Sequence, residues 1–152
     1  MNKDLFSLVQ KKQKESRSAT SQIDWNERRE KYLAAVSDLY EQIHKILAEP
    51  IAQGSVVAQK RPKQLTENYL GTYSIDDLIL LIGNEQVLFS PSGRNIAGAI
   101  GRVDVVGERG EASLILQPKT RWGFVQSRQP ALHVVPFDES TFADVLRVVM
   151  RD

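Results

Sequence analysis

Cysteine is absent from the 152 residues, and histidine, tryptophan and methionine occur only twice each. The first absence removes disulfides, thiolate metal sites and cysteine nucleophiles together, and leaves cytoplasm as the default compartment. With only His44 and His133, a hydrolytic triad has little to draw on. His44 lies beside the apolar seam of a helix and His133 alternates with Leu132 and Val134 on a strand, so both are expected to face solvent. Ser90, Ser92 and Ser127 have no Gly-x-Ser-x-Gly elbow around them. Glu41 and His44 have the Glu-x-x-His spacing of carboxylate-bridged metal helices, but such sites need the motif twice. The reading therefore assigns no catalytic residue, no metal ligand and no cofactor, and favours a protein that is not an enzyme.

Long apolar runs are also missing. The longest, residues 78–82, is strand-sized, far short of the about 18 residues a spanning helix requires. Near the N-terminus the apolar cluster Leu5, Phe6, Leu8 and Val9 gives way at once to lysines and glutamines, unlike a signal peptide. No membrane partner is expected. Charge of one sign is scarce as well, the net being +1, but it is unevenly spread. Residues 1–64 carry 12 Lys/Arg against 8 Asp/Glu and residues 65–152 carry 8 against 11, so the arm is basic and the body acidic. That split fits docking of the arm on the body, on a partner or on a polyanion.

Three segments follow from the patterning: residues 1–22, a flexible stretch with a short helix; residues 23–50, an amphipathic helical arm; and residues 51–152, a β-rich domain with a C-terminal helix. Asp24 and Glu27 stand in capping-box positions at the start of the arm, and Pro50 ends it. Along the arm, Trp25, Tyr32, Val36, Leu39, Ile43 and Ile46 form a heptad-like row, while Leu33, Tyr40 and Leu47 widen the stripe. Covering Tyr32, Val36, Leu39, Ile43 and Ile46 is an energetic necessity, because a wet apolar stripe is one that monomers avoid. A second copy is the first-choice partner, with docking on the sheet as the alternative.

From residue 55 the period becomes two. Strands are expected at 55–59, with a break at Arg61-Pro62, a strand or turn at 66–72, and a hairpin from 77–82 and 86–90 around Gly83-Asn84. After a loop at 90–95, a second hairpin pairs 102–106 with 111–117, and two short strands follow at 122–126 and 132–135. A closing helix begins near Asp138 or Ser140 and buries Phe142, Val145, Leu146, Val149 and Met150. Trp122 and Phe124 share one face of a strand and read as core anchors. The fold class is α+β: a helical arm, an antiparallel sheet or roll of about six or seven strands, and a C-terminal helix packed on it. That count and order resemble the pleckstrin-homology architecture, a resemblance of arrangement over residues 55–152 that transfers no functional residue.

One stretch invites a ligand. Residues 93–102 combine several glycines with Arg94, Asn95 and Arg102, so backbone amides and guanidinium groups could hold a phosphate or carboxylate. The function expected is an interaction or assembly module that self-associates through its arm. A small ligand-binding domain or enzyme using Arg94, Asn95 and Arg102 is the alternative, and a nucleic-acid-associated protein with a basic arm is the third reading.

Overall fold

The computed structural model describes residues 3–18, 25–67, 71–93, 101–118 and 121–151. Three helices come first: α1 (Lys3–Ser18), α2 (Trp25–Ile46) and the short α3 (Ala48–Ala52). Seven strands follow, β1 (Val56–Glu67), β2 (Gly71–Ile82), β3 (Glu85–Gly93), β4 (Gly101–Val106), β5 (Glu111–Gln117), β6 (Arg121–Ser127) and β7 (His133–Pro136), before α4 (Glu139–Val149) closes the chain. The strands form one sheet in the order of sequence, every neighbour antiparallel. The expected α+β architecture is therefore the one observed.

Several boundaries moved, each for a physical reason. α1 is longer than a short helix, because the Gln, Lys, Glu and Arg residues that follow its apolar cluster are good helix formers with no breaker among them. Asp24, the expected cap of α2, lies outside the described residues, as does the side chain of Trp25. Pro50 does not end the arm: α2 stops at Ile46, and Pro50 sits in the first turn of α3, where its missing N–H has no helical acceptor to lose. The expected break at Arg61-Pro62 is absent too. β1 runs straight through Pro62, which lies opposite Asp76, because β1 is a terminal strand of the sheet and one of its sides needs no ladder bonds. Likewise β3 continues past Ser90 to Gly93. Its ladder with β2 ends at Phe89 opposite Leu78, so Pro91 falls where no β2 partner is required.

The inner face of the sheet is apolar throughout, with Leu78, Leu80, Val87, Phe89, Val103, Val105, Leu114 and Leu116 fully buried. Two helices cover it. α4 is capped by Asp138, one of the two expected positions, reciprocated by Thr141, and inserts Phe142, Val145 and Val149; Leu146 and Met150 pack at its margin, only partly buried. Phe142 stacks on Phe89 with ring centroids 6.3 Å apart. α2 supplies Tyr32, Ala35, Val36, Leu39, Tyr40 and Ile43 to the same core, so it is part of the folded body rather than an arm beside it.

Hydrogen bonds from three aromatic side chains fix α2. The Tyr32 hydroxyl donates to the Arg102 carbonyl at 2.6 Å and accepts from the Gly93 amide at 3.1 Å. The Tyr40 hydroxyl donates to the Asp76 carbonyl at 2.7 Å, and Trp122 Nε1 donates to the Ala35 carbonyl at 2.9 Å. Residue 101 must be glycine on this plan, since a Cβ there would meet the Tyr32 ring at 2.3 Å. Burial pushes both tyrosine hydroxyls well above the ordinary tyrosine pKa, so both stay protonated in the fold.

Within the β1–β2 ribbon the buried phase changes. Tyr73 and Ile75 are buried, then Leu78 and Leu80, although the pairing register never slips. The change falls where β2 leaves β3, and two-stranded ribbons twist more than wide sheets. The free half of the ribbon thereby turns its other face toward α2.

Candidate functional site

The outer face of the sheet gathers the polar side chains that a site would need. Ser90 pairs with Asp104 across β3 and β4 and Arg61 with Asp77 across β1 and β2, and the Ser90 side chain reaches Asp77 just past the end of the β2–β3 ladder. Asp77 is buried, its side chain 6% exposed, and it collects two of the three cations of β1: Lys63 Nζ lies 2.8 Å from Oδ1 and Arg61 Nη2 3.1 Å from Oδ2. The Ser90 hydroxyl donates to Asp77 at 3.1 Å and accepts from Lys63 at 2.7 Å. Burial alone would raise the Asp77 carboxyl. The bonds from Lys63, Arg61 and Ser90 and the charge of Lys63 outweigh it, and the pKa lies below the ordinary carboxylate value.

That arrangement sets a serine beside a lysine and an aspartate, yet its chemistry points away from catalysis. A nucleophilic serine needs a neighbour able to take its proton. Asp77 is a carboxylate made less basic by two cations, and the Lys63 ammonium donates a hydrogen bond to Ser90 and pairs with Asp77. The cluster stitches β1, β2 and β3 together across the outer face. It was hidden from the sequence because the break expected at Arg61-Pro62 removed the register that brings Arg61 opposite Asp77.

Next along the face stands Arg102. Its Nε donates to the Ser92 hydroxyl at 2.9 Å and lies 3.1 Å from Asp104 Oδ1. The guanidinium expected to await an anion is thus engaged by its own strand neighbour, two residues away on the same face. Arg94 and Asn95, the other members of that expected site, lie outside the described residues. No group of three or more His, Cys, Asp and Glu side chains able to hold a metal occurs among the described residues, and His44 and His133 are both exposed.

The expected interface row is placed differently from the first-choice reading. Tyr32, Val36, Leu39 and Ile43 are each 3% exposed or less, and Ile46 packs partly buried against the same core. Docking on the sheet covers the row without a second copy, because the added Leu33, Tyr40 and Leu47 make the stripe too broad for a two-helix seam and match it to a sheet. The helix side that remains uncovered is on α1. Leu5, Phe6, Leu8 and Val9 are 48–55% exposed, and at 100° per residue they occupy one side of the helix. In the sequence this cluster is the less conspicuous of the two, because the row on α2 is longer.

No protein-family model matches the chain, and no significant match was found among curated proteins or solved structures.

Proposed function

We propose that the chain is a non-enzymatic assembly module: a folded α+β body that self-associates through the apolar side of α1. The observation that carries this reading is the exposure of Leu5, Phe6, Leu8 and Val9 in a structure whose other helices are seated on the core. Four adjacent large apolar side chains on one helix side form the kind of patch that marks a contact surface. The state of Asp77, Lys63 and Ser90 agrees, since the best-placed hydroxyl has no base.

Sedimentation across a concentration series tests it. Wild type is expected to gain mass with concentration, and a Leu5→Asp, Leu8→Asp variant to stay monomeric with an unchanged circular dichroism spectrum. A wild type that is monomeric at every concentration refutes the reading.

A further inference from the structure

The two edges of the sheet are closed in different ways. β7 has only four residues and ends on Pro136, so it offers little to pair with. β1 has twelve, and no strand lies beyond it among the described residues. From Gln59 to Thr66 it is exposed, with Lys63 and Leu65 half-buried. A free strand of that length is a template for another chain unless something blunts it.

The register fixes which way its backbone groups point. The Ser55 carbonyl accepts from the Gly83 amide at 3.4 Å, so residues 55 and 83, one step before Val56 opposite Ile82, form a hydrogen-bonded pair. Such pairs alternate along an antiparallel ladder, and the register of β1 on β2 runs without a shift to Glu67 opposite Gly71. Odd-numbered residues from 57 to 67 therefore bond to β2. Even-numbered residues from 56 to 66 turn their N–H and C=O groups to the open side. Pro62 belongs to the even set. Its missing N–H falls on the open edge, halfway along the strand, where it costs the sheet nothing but interrupts the row offered to a newcomer.

We propose that Pro62 and Lys60 guard this edge, stopping β1 from pairing with β1 of a second copy. The inference goes beyond the assembly reading above and does not depend on it. Two β1 strands related by a twofold axis would run antiparallel, with even-numbered residues meeting in hydrogen-bonded pairs. Pro62 opposite Pro62 makes neither bond of its pair, and Pro62 opposite any other residue makes one of the two. A register that spares both prolines pairs residues 56–60 with residues 56–60, less than half of β1, or residues 64–66 with residues 64–66, which is shorter still. Lys60 closes a further register. Arg61 and Lys63 are neutralised by Asp77 on the outer face, but Lys60 is exposed and in no ion pair among the described residues. Placing it opposite its own copy sets like charges directly across the pair.

Amide hydrogen exchange tests the orientation in the wild-type chain. The amides of Lys60, Gln64 and Thr66 are expected to exchange fast and those of Arg61, Lys63 and Leu65 slowly, since only the second set is bonded to β2. The reverse pattern overturns the proposal. Sedimentation tests the guard, in a Leu5→Asp, Leu8→Asp background so that contact through α1 does not contribute. Adding Pro62→Thr and Lys60→Thr restores the missing donor and removes the charge. Self-association is expected to tighten roughly tenfold over the same background, the equivalent of one net hydrogen bond, with the amides of residues 62 and 64 becoming protected. Pro62→Ala in place of Pro62→Thr provides a second variant of lower strand propensity. Folded variants whose mass matches the background at every concentration overturn the guard. So does a gain in mass that leaves residues 62 and 64 unprotected, because the contact then lies elsewhere. The assembly reading can fail without altering this result, since the comparison is made within one background.

Discussion

Truncating Leu39 to alanine separates a helix that belongs to the core from one that belongs to an interface. Leu39 is fully buried between the sheet and the body of α2, and it lines a cavity of about 260 Å³ shared with Ala35, Trp122 and Phe137. Removing three carbon groups forfeits about 0.8 kcal/mol each in transfer free energy, or about 2.4 kcal/mol. The enlarged void adds to that, placing the loss within the about 2–5 kcal/mol observed for buried leucines. For a chain of this size such a loss lowers the melting temperature by roughly 4–20 °C. Urea denaturation followed by circular dichroism measures the free energy, and sedimentation of the same samples measures the mass. The structure predicts lower stability with no change in mass. A stability change below about 0.5 kcal/mol, or a loss of mass without loss of stability, would refute the packing of α2 on the sheet.

Two pH dependences follow from the titrating groups. Asp77 titrates lower in the fold than the ordinary aspartate value of about 3.9, so its contribution is complete above that value and is lost as pH falls through the folded pKa. Asp77→Asn should cost about 1–3 kcal/mol at neutral pH and should flatten the acid limb of stability against pH; an unchanged acid limb would dismiss the Arg61–Lys63–Asp77 cluster as a stabilising feature. Tyr32 and Tyr40 titrate higher in the fold than in the unfolded chain. Their contribution is complete below about pH 10 and is lost as pH rises beyond it. The Tyr32→Phe, Tyr40→Phe double variant should therefore be less stable at neutral pH yet lose less between pH 9 and pH 11, as followed by denaturation at fixed pH values in about that range. An alkaline limb as steep as wild type's would exclude both tyrosines as its source.

Much of the fold was legible because alternation and hydrophobic period are local. The hairpin of β2 and β3 is announced by Gly83-Asn84, and Gly83 indeed takes a positive φ of 62°. The α4 stripe could be read off five residues, and its cap was narrowed to Asp138 or Ser140, of which Asp138 is the one observed. Within the sheet proline misled twice, at Pro62 and Pro91, for one reason. Its penalty depends on whether the missing N–H had a partner, and that depends on whether a neighbouring strand lies alongside, which no local window contains. The outer-face cluster was lost with Pro62, since Arg61, Asp77 and Ser90 meet only when β1 continues past it.

The two helices raise a different question, because both offer apolar residues at helical spacing and only one is seated on the core. Width decides between them. On α2 the row of Tyr32, Val36, Leu39 and Ile43 has Tyr40 and Ala35 beside it, and all six are buried. A sheet presents a broad, nearly flat face, so it rewards a broad stripe, whereas a partner helix rewards a narrow one. The tyrosines add a constraint that a helix partner could not meet: Tyr32 and Tyr40 each find a strand carbonyl, and a hydroxyl buried without such an acceptor would be costly. α1 has four apolar residues confined to its first two turns, followed by the run Lys11-Lys12-Gln13-Lys14. That patch stays exposed while the broad stripe of α2 is covered by the sheet, so it is the apolar helix side left for contact with another molecule. The shorter apolar cluster, less conspicuous in the sequence, is for that reason the better candidate for association between chains.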